Sequence, residues 1–326
     1  MLRFGVPALF VFIWSTGFIV GKAVVPHADL QLYLFARLSL TTAVLGAAAM
    51  VVGAQWPSRR GWGAHLLAGA LMQGGYLCAS YWALQRGMPA GVMALIGALQ
   101  PLFTALYLFI AAKVTANHQT LGPRTWVGLL IGFGGVACVL APKLSATGAG
   151  ALTFASTAIA LLSVVSITAG ALFQKWLPPT DLRVAASVQN LAGTIVALFA
   201  TLTVGSLGAG SSPTGPAPPH VALFDAVPLT WDNAPMLWGA LIWAVLVPSV
   251  VGTTLLIWMM RHNEATKVTA LVLLAPPLAA IQAYVFFRET LSPIQFAGFA
   301  LALVGVLLAR SARLGPPPAT PTRSGV

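Results

Sequence analysis

The sequence predicts an all-α, polytopic membrane protein in which ten transmembrane helices form two inverted five-helix repeats. Three observations support this prediction. The chain of 326 residues is 58% hydrophobic and only 7% charged, whereas a soluble domain carries roughly 25% charged residues. It contains ten apolar runs that approach the roughly 20 residues a helix needs to cross a bilayer. One long stretch of the first half also recurs in the second half.

The apolar runs are predicted to be helices and not strands. Strands of a membrane barrel would alternate over roughly ten residues, whereas these runs are unbroken. Backbone groups in lipid must find their hydrogen bonds within the segment, which a helix achieves. The first run lacks a small-residue cleavage site, so we interpret it as a permanent span. The ten predicted spans lie near 5–24, 30–53, 64–86, 89–112, 125–141, 151–174, 184–205, 234–260, 267–287 and 292–310.

The recurring stretch indicates a duplicated chain. Residues 81–113 and 257–289 align without a gap at an offset of 176 residues, which pairs Pro101 with Pro277. A very apolar chain with two related halves is typical of a secondary transporter, whose substrate site lies where the halves meet.

The duplication also predicts the domain organisation. We expect a first repeat over residues 1–144 and a second repeat over 145–311, followed by a disordered cytoplasmic tail over 312–326. A Gly/Pro/Ser-rich stretch at 206–233 is expected to form a flexible outer loop.

Small residues four positions apart follow each copy of the recurring stretch. Gly128 and Gly132 form the first pair, and Gly298 and Ala302 form the second. Such pairs allow the backbones of two membrane helices to approach closely. We therefore expect both pairs to lie in helix–helix contacts.

The basic residues predict the orientation of the chain. The formal net charge is +11, yet the basic residues lie at span ends and form no stripe, so nucleic-acid binding is not indicated. With the N-terminus inside, twelve basic residues face the cytoplasm and four face outward. The positive-inside rule then places both termini in the cytoplasm, in a bacterial-type inner membrane. The inner set is Arg3, Arg59, Arg60, Lys113, Arg124, Lys175, Arg183, Arg261, Lys267, Arg310, Arg313 and Arg323, and the outer set is Lys22, Arg86, Lys143 and Arg288.

The motifs of several other functions are missing from the sequence. Cys78 and Cys138 lie inside spans and are expected to pack as small apolar residues. The sequence has no CxxC pair, His/Cys cluster or P-loop, so no metal, cofactor or ATP hydrolysis is predicted. Paired carboxylates or a Ser/His dyad within the spans are also missing, so an enzyme is not predicted. Because all six acidic residues lie at span ends or in loops, we hypothesise that a mid-membrane carboxylate relay is absent.

Several short motifs occur in an order that is similar to that of a known family. They are WSTGFIVGK from Trp14, Arg37 in the second segment, YWAL at Tyr81, ALIGALQPLFTAL ending at Leu106, TALVLLAPPLAAI from Thr269, Arg288-Glu289-Thr290 and the small-residue run 298–305. In this order the chain resembles the EamA family of the drug/metabolite transporter superfamily over nearly its whole length. The resemblance implies a ten-helix fold of two five-helix repeats with opposite orientations. It also implies transport, mostly export, of amino acids and related small metabolites.

The chain departs from that family pattern at one position. The family usually carries a Gly-Glu pair after the fourth helix, where this chain has Ala112 and Lys113. The acidic position is kept by Glu289 in the second half alone. The departure puts in doubt any role that needs both acids, but not the fold.

Prolines inside spans are the first candidates for the substrate pathway. Pro101 in the fourth span lacks a backbone donor and frees the carbonyl of Gly97, and Pro276 and Pro277 act in the same way in the ninth span. Irregular backbone is tolerated in a membrane only beside a cavity or a protein partner. We expect Pro101 and Pro277 to border the central cavity, with a kink that only shapes packing as the alternative.

Polar residues at helical spacing are the second set of candidates. Polar side chains that face lipid cost free energy, so these faces should point inward. An inward position is compatible with contact to solute, with close helix packing, or with a hydrogen bond to the residue's own helix. The set comprises Trp14 in the first span, Gln73, Tyr76 and Ser80 in the third, Gln100 and Thr104 in the fourth, and Ser163 and Ser166 in the sixth.

Arg37 is the third candidate, because it is a charge inside a span. It lies about eight residues into the second span, roughly 12 Å below the outer surface at 1.5 Å per residue. It either draws carboxylate-bearing solutes into a vestibule or has a structural role. Gln189 in the seventh span is its expected counterpart in the second half. Tyr81, Trp82 and Trp258 are secondary candidates, and the tryptophans either anchor the interface or stack on solute.

These features favour an alternating-access exporter of small zwitterionic metabolites, most plausibly amino acids. An exchanger of phosphorylated sugars would need several buried cations to match phosphate, and Arg37 alone qualifies. An exchanger of other small solutes such as drugs, a membrane channel and an intramembrane enzyme are the remaining alternatives. The expected partners are the solute and the lipid bilayer.

Overall fold

The computed structural model describes residues 2–114, 122–144, 152–206, 231–252, 254–255 and 274–310. Within these ranges the chain is helical, and its one β-contact is an isolated bridge between Ala28 and Trp231. The predicted tail 312–326 and most of the predicted loop 206–233 lie outside the described residues. The elements are α1 (Leu2–Val24), α2 (Leu30–Val51), α3 (Arg59–Gly69), π1 (Ala70–Gly75), α4 (Tyr76–Gln85), α5 (Ala90–Gly97), α6 (Gln100–Val114), α7 (Pro123–Leu144), α8 (Phe154–Gln174), α9 (Leu182–Ser206), α10 (Pro235–Ala244), π2 (Val245–Val251), α11 (Ala275–Phe287) and α12 (Pro293–Arg310), where π1 and π2 are π-helical.

The helices confirm the predicted all-α, polytopic membrane fold. Each of the ten predicted spans contains at least one of them. Five described helices are long and apolar enough to cross a membrane, and four shorter apolar helices accompany them. The third span begins earlier than predicted, at Arg59, because Ser58 caps α3 by accepting a hydrogen bond from the backbone N–H of Gly61.

The duplication is visible as matching irregularities in the two halves. π1 and π2 occupy equivalent positions of the third and eighth spans at the same offset of 176 residues. The fourth span was predicted as one helix, but it breaks at Ala98–Leu99, and α6 begins at Gln100, directly before Pro101. In the ninth span α11 begins at Ala275, directly before Pro276 and Pro277. The proline ring cannot continue the backbone hydrogen bonding of the preceding turn, which explains both positions.

Helix packing follows the same duplication. α2 packs against α9 and α7 packs against α12, and the members of each pair are counterparts in the two halves. α1 contacts α10, π2 and α11, while its counterpart α8 contacts α3, π1 and α6, the counterparts of those three elements. The halves are therefore related by an approximate two-fold axis. Because each half has five spans, the two repeats have opposite orientations in the membrane.

The contact between α7 and α12 depends on glycine, as the small-residue pairs predicted. A Cβ atom added to Gly298 would lie 2.6 Å from the carbonyl oxygen of Gly135, and one added to Gly128 would lie 2.6 Å from the backbone nitrogen of Ala309. Gly305 approaches the backbone of Gly132 so closely that no Cβ fits there either. The two backbones therefore touch directly, and dispersion contacts replace the side-chain layer found between most helices.

The two ends of the bundle carry different turns, and the largest buried side chains of the described residues lie toward one of them. One end, called here the Glu289 end, carries the turns around residues 25–29, 86–89, 231–234 and 288–292, and the other, the N-terminal end, carries residues 52–58 and 175–181. The largest fully buried side chains all come from the half of the second, third and fourth spans nearest the Glu289 end, or from their middle. They are Leu30, Tyr33, Leu34, Leu38, Tyr81, Leu84, Met88, Met93, Leu95, Ile96, Leu99 and Leu102. The described side chains near the Glu289 end are therefore closely packed.

Polar contacts reinforce the Glu289 end. The Asp29 carboxylate caps α2 and also accepts a hydrogen bond of 2.9 Å from the Gln85 amide. His27 and Asp232 are joined at 2.9 Å, and the backbone N–H of Asp232 donates to the carbonyl of His27. The hydrogen bonds from His27 and from the backbone of Ala234 lower the pKa of the Asp232 carboxyl. These bonds connect the turn at 25–29 both to the end of α4 and to the turn at 231–234.

Replacing Gly298 with leucine is expected to disrupt the fold. The new side chain would meet the Gly135 carbonyl, so α7 and α12 would separate and the variant should lose several degrees of melting temperature or fail to accumulate. Thermal unfolding in detergent measures the effect. Gly134→Leu is the matched control, because a Cβ at Gly134 meets no atom within 4 Å. Equal melting temperatures for both variants would contradict the proposed packing role.

Candidate functional site

A cluster of tyrosines surrounds Arg37 where the second span crosses the first and third. An Arg37 guanidinium N–H donates a 2.9 Å hydrogen bond to the Tyr81 hydroxyl, and that hydroxyl donates in turn to the carbonyl of Gly17 at 2.9 Å. The Tyr33 ring stacks on the Tyr81 ring with centroids 6.4 Å apart. The Tyr33 hydroxyl donates to the Ala240 carbonyl at 3.1 Å. We call Tyr33, Arg37, Tyr76 and Tyr81 the Arg37 cluster.

Tyr76 extends the cluster toward the break in the fourth span. Its ring meets the ring of Phe18 edge to face, with centroids 6.3 Å apart. Its hydroxyl lies 3.2 Å from the position that a Cβ on Gly97 would occupy. Gly97 is the last residue of α5, so the absence of a side chain there leaves room for the Tyr76 hydroxyl. The two tyrosines of α4 thus contact adjacent residues of α1, Gly17 and Phe18.

The charge of Arg37 has no acidic partner in the described part of the chain. Its one described hydrogen bond goes to a neutral hydroxyl, and the side chain is only partly buried. A guanidinium has five N–H donors in a planar fork that matches a carboxylate. The cluster therefore leaves most of this donor capacity available to a solute.

Residues of the first and fourth spans lie below the cluster, toward the N-terminal end. Gln100, Pro101 and Thr104 are all partly buried, and the Thr104 hydroxyl donates to the Gln100 carbonyl at 2.9 Å, within its own helix. Trp14 is 55% exposed and packs its ring against Phe10 at 5.7 Å. These predicted site residues are therefore less buried than the side chains packed near the Glu289 end.

The predicted serines and Gln73 lie where the third span meets the sixth and seventh. Ser80 and Ser163 are fully buried, and the Ser80 hydroxyl donates to the Ser163 hydroxyl at 3.1 Å. The Ser166 hydroxyl donates to the Leu71 carbonyl in π1 at 2.8 Å, so it satisfies an acceptor of the irregular turn. Gln73 lies in π1 itself and contacts Gly193 of α9. The structure thus gives all three serines a partner on another helical element.

The remaining secondary candidates are dispersed. Gln189 is buried against Gly69 of α3, and its amide nitrogen has no hydrogen-bond partner in the described structure. The Arg86 guanidinium lies over the Trp82 ring, 5.0 Å from its centroid, at the Glu289 end. Pro277 is partly buried in the first turn of α11. Trp258 lies outside the described residues.

The sequence analysis missed three polar contacts at this site. Tyr33 lies one helical turn before Arg37, a spacing that would have indicated it. The Trp243 indole donates to the Thr16 hydroxyl at 3.2 Å, and the Gln282 amide donates to the Ser15 hydroxyl at 3.0 Å. These bonds connect α1 to α10 and α11. No local motif indicates them, because the partners lie more than two hundred residues apart in sequence.

Carboxylate side chains avoid the middle of the described bundle. Asp29, Asp181, Asp232 and Glu289 all lie at or beyond helix ends. In the described residues, groups of three or more His, Cys, Asp or Glu that could hold a metal ion are absent. Arg37 is therefore the one permanent charge near the centre of the described spans.

Comparison with known proteins decides the family. The model of the EamA-like transporter family matches residues 6–141 and 158–311, which is most of the chain. The chain belongs to the EamA-like transporter family. This membership makes it a membrane transporter of the drug/metabolite transporter type, with several apolar helices in the bilayer.

Two further comparisons concern single proteins. No curated protein matches the chain. A solved structure described only as "Crystal structure of protein" is 18% identical, and the match covers 93% of this chain and 94% of that chain with a TM-score of 0.56. At this identity the likeness shows the shared fold alone.

Replacing Tyr81 with phenylalanine is expected to destabilise the EamA-like protein. The change removes the acceptor of the Arg37 guanidinium and the donor to the Gly17 carbonyl, which should cost about 1–3 kcal/mol. Tyr76→Phe is the matched control, because the Tyr76 hydroxyl makes no hydrogen bond with a described residue. Thermal unfolding of both variants in one detergent measures the difference. The role given to Tyr81 is wrong if Tyr76→Phe lowers the melting temperature as much.

Proposed function

We propose that this transporter exports amino acids or related small zwitterionic metabolites by alternating access across a bacterial-type inner membrane. In this proposal both termini are cytoplasmic, the Glu289 end faces outward, and the repeats meet at residues 144 and 145. The excess of basic residues at the N-terminal end supports this orientation. Enzymatic activity is not part of the proposal.

The observation that carries the proposal is Arg37 without an acidic partner. A lone guanidinium beside tyrosine hydroxyls suits a solute with one carboxylate, which it can bind through two parallel hydrogen bonds. The solute's carboxylate would also neutralise a charge that is costly within the membrane. The side chain is accessible enough for such contact, because it is only partly buried.

The surroundings of Arg37 favour a solute that is otherwise neutral and partly apolar. Aromatic rings of Phe18, Tyr33 and Tyr76 lie around the cluster and offer apolar surface. An ammonium group would find acceptors in backbone carbonyls and in amides such as that of Gln100, since described carboxylates lie at helix ends. An apolar amino acid combines a carboxylate, an ammonium group and an apolar side chain.

Phosphorylated solutes fit the described site less well. Phosphate recognition within a membrane needs several cationic side chains, and Arg37 is the one that lies near the centre of the described spans. An exchanger of phosphorylated sugars therefore remains the weaker alternative. We propose that transport follows the solute gradient or a coupling that does not need a mid-membrane carboxylate.

Counterflow in proteoliposomes tests the solute class. Vesicles preloaded with an apolar amino acid should accumulate the labelled amino acid. The amide of the same amino acid lacks the carboxylate and should be taken up at least about tenfold more slowly. This factor follows because one charge-assisted hydrogen bond is worth about 1.5–3 kcal/mol. In Arg37→Gln the two solutes should be handled alike. Equal counterflow of acid and amide in the wild type would contradict the proposal.

Two side chains on the accessible side of the cluster are expected to matter for transport. Trp14→Ala and Gln100→Ala should impair counterflow more than they impair membrane insertion, because both side chains border the proposed pathway. Trp126→Ala is the control, since Trp126 is 38% exposed and packs on Phe109 away from the cluster. Wild-type flux in both test variants would remove these residues from the pathway.

A further inference from the structure

One ion pair at the Glu289 end connects three spans. The Lys22 ammonium at the end of α1 lies 3.9 Å from a Glu289 carboxylate oxygen, and the same oxygen accepts a 3.4 Å hydrogen bond from the backbone N–H of Ala90. Ala90 begins α5, and Glu289 directly follows the turn that ends α11. Both side chains are about one-fifth to one-quarter exposed. The contact thus joins the first, fourth and ninth spans at the closely packed Glu289 end.

The backbone turns Glu289 toward this contact. Arg288 adopts a left-handed conformation, with φ of 56°, which is uncommon for a residue other than glycine. This residue ends α11, and the N–H of Glu289 then donates to the Ala283 carbonyl. The second carboxylate oxygen of Glu289 is buried without a hydrogen-bond partner in the described structure. A strained turn and a half-satisfied carboxylate both indicate that this position serves an end other than stability.

The equivalent positions at the N-terminal end carry a different pair of charges. The offset of 176 residues makes Lys113 the counterpart of Glu289. Aligning Gly17 of α1 with Gly170 of α8 makes Lys175 the counterpart of Lys22, because each lysine follows its glycine by five residues. Lys175 caps the end of α8, and Lys113 lies in the last turn of α6. The ninth span ends in a left-handed turn, whereas α6 continues through Lys113 as helix.

The helices that carry these residues pack in corresponding ways. α1 packs on α11 at one end of the bundle, and α8 packs on α6 in the corresponding place. At the Glu289 end the paired charges are opposite, so they attract. At the N-terminal end the equivalent positions of the sequence both carry lysine, so the sequence offers no pair of opposite charges there.

We propose that Lys22 and Glu289 form a latch that holds the Glu289 end closed, and that Lys113 and Lys175 leave the opposite end without one. The inference rests on the alternating-access function proposed above. The protein then rests with its pathway open toward the cytoplasm, ready to take up solute for export. The ion pair then lowers the outward-open population of the empty carrier by about threefold, and binding of solute must offset that free energy.

Sided cysteine labelling tests the latch without any solute. The reporter is Gly17→Cys in a chain whose two native cysteines are replaced by alanine, because a Cβ at Gly17 meets no atom within 4 Å. Gly17 lies about 8 Å along α1 from Lys22 at 1.5 Å per residue. A membrane-impermeant maleimide is applied to right-side-out and to inside-out vesicles that contain the full chain. The latch predicts labelling mainly from the cytoplasmic side.

Charge variants separate the latch from a general loss of packing. Glu289→Gln should raise labelling from outside by about threefold or more, the range expected for a partly exposed ion pair. The double variant with Lys22→Glu and Glu289→Lys should return outside labelling toward the level of the parent chain. Lys113→Glu, which creates the missing attraction with Lys175, should also raise outside labelling. Arg124→Glu changes the charge of the same end by the same amount and should leave labelling unchanged.

The outcomes decide the latch independently of the solute class. Outside labelling that is the same in Glu289→Gln, Lys113→Glu and the parent chain overturns the latch, as does a reporter that neither side can label in any variant. Such a result leaves the amino-acid counterflow assay untouched. Loss of counterflow discrimination between acid and amide would instead overturn the proposed solute and leave the latch in place.

Discussion

A permanent positive charge within the membrane is the constraint on which the rest of this structure depends. Arg37 cannot lose its proton, so its cost must be reduced by hydrogen bonds and by access to water or solute. The fold supplies a hydrogen bond through the Tyr81 hydroxyl, which accepts from Arg37 and donates to the Gly17 carbonyl. The second, third and first spans are thereby held together at one point. The ring of Tyr33 and the irregular backbone beside Gly97 complete the same point.

The duplicated irregularities place polar backbone in both halves of the bundle. A π-helical turn in the third span matches one in the eighth. In the fourth and ninth spans, a helix begins directly before a proline. Side chains satisfy some of the carbonyls at these turns, as Ser166 does for Leu71 and Ser249 does for Ala244. The regular α7–α12 pair lies apart from them and is held by direct backbone contact. The structure therefore combines a glycine-packed helix pair with a core that contains irregular helical turns.

The sequence predicted the spans well, because span formation is governed by composition over about 20 residues. It predicted an irregular backbone at Pro101 from the missing backbone donor, but not the division of the fourth span into two helices. It could not predict π1 and π2, since an extra residue in a helical turn leaves no periodic signature in an apolar run. Tyr33 was missed because an aromatic residue in an apolar helix resembles a core residue, and only its spacing of four residues from Arg37 distinguishes it. The packing of the Glu289 end was also beyond reach, because it depends on contacts between residues far apart in sequence, such as His27 with Asp232.

The central claim is that Arg37 holds the carboxylate of the transported solute. An experimental structure of the protein with an apolar amino acid bound tests it most directly. The account predicts the solute carboxylate within about 3 Å of the Arg37 guanidinium nitrogens, with its apolar part against Phe18 and Tyr76. A bound solute whose carboxylate lies elsewhere, while Arg37 contacts Tyr81 alone, would contradict the account.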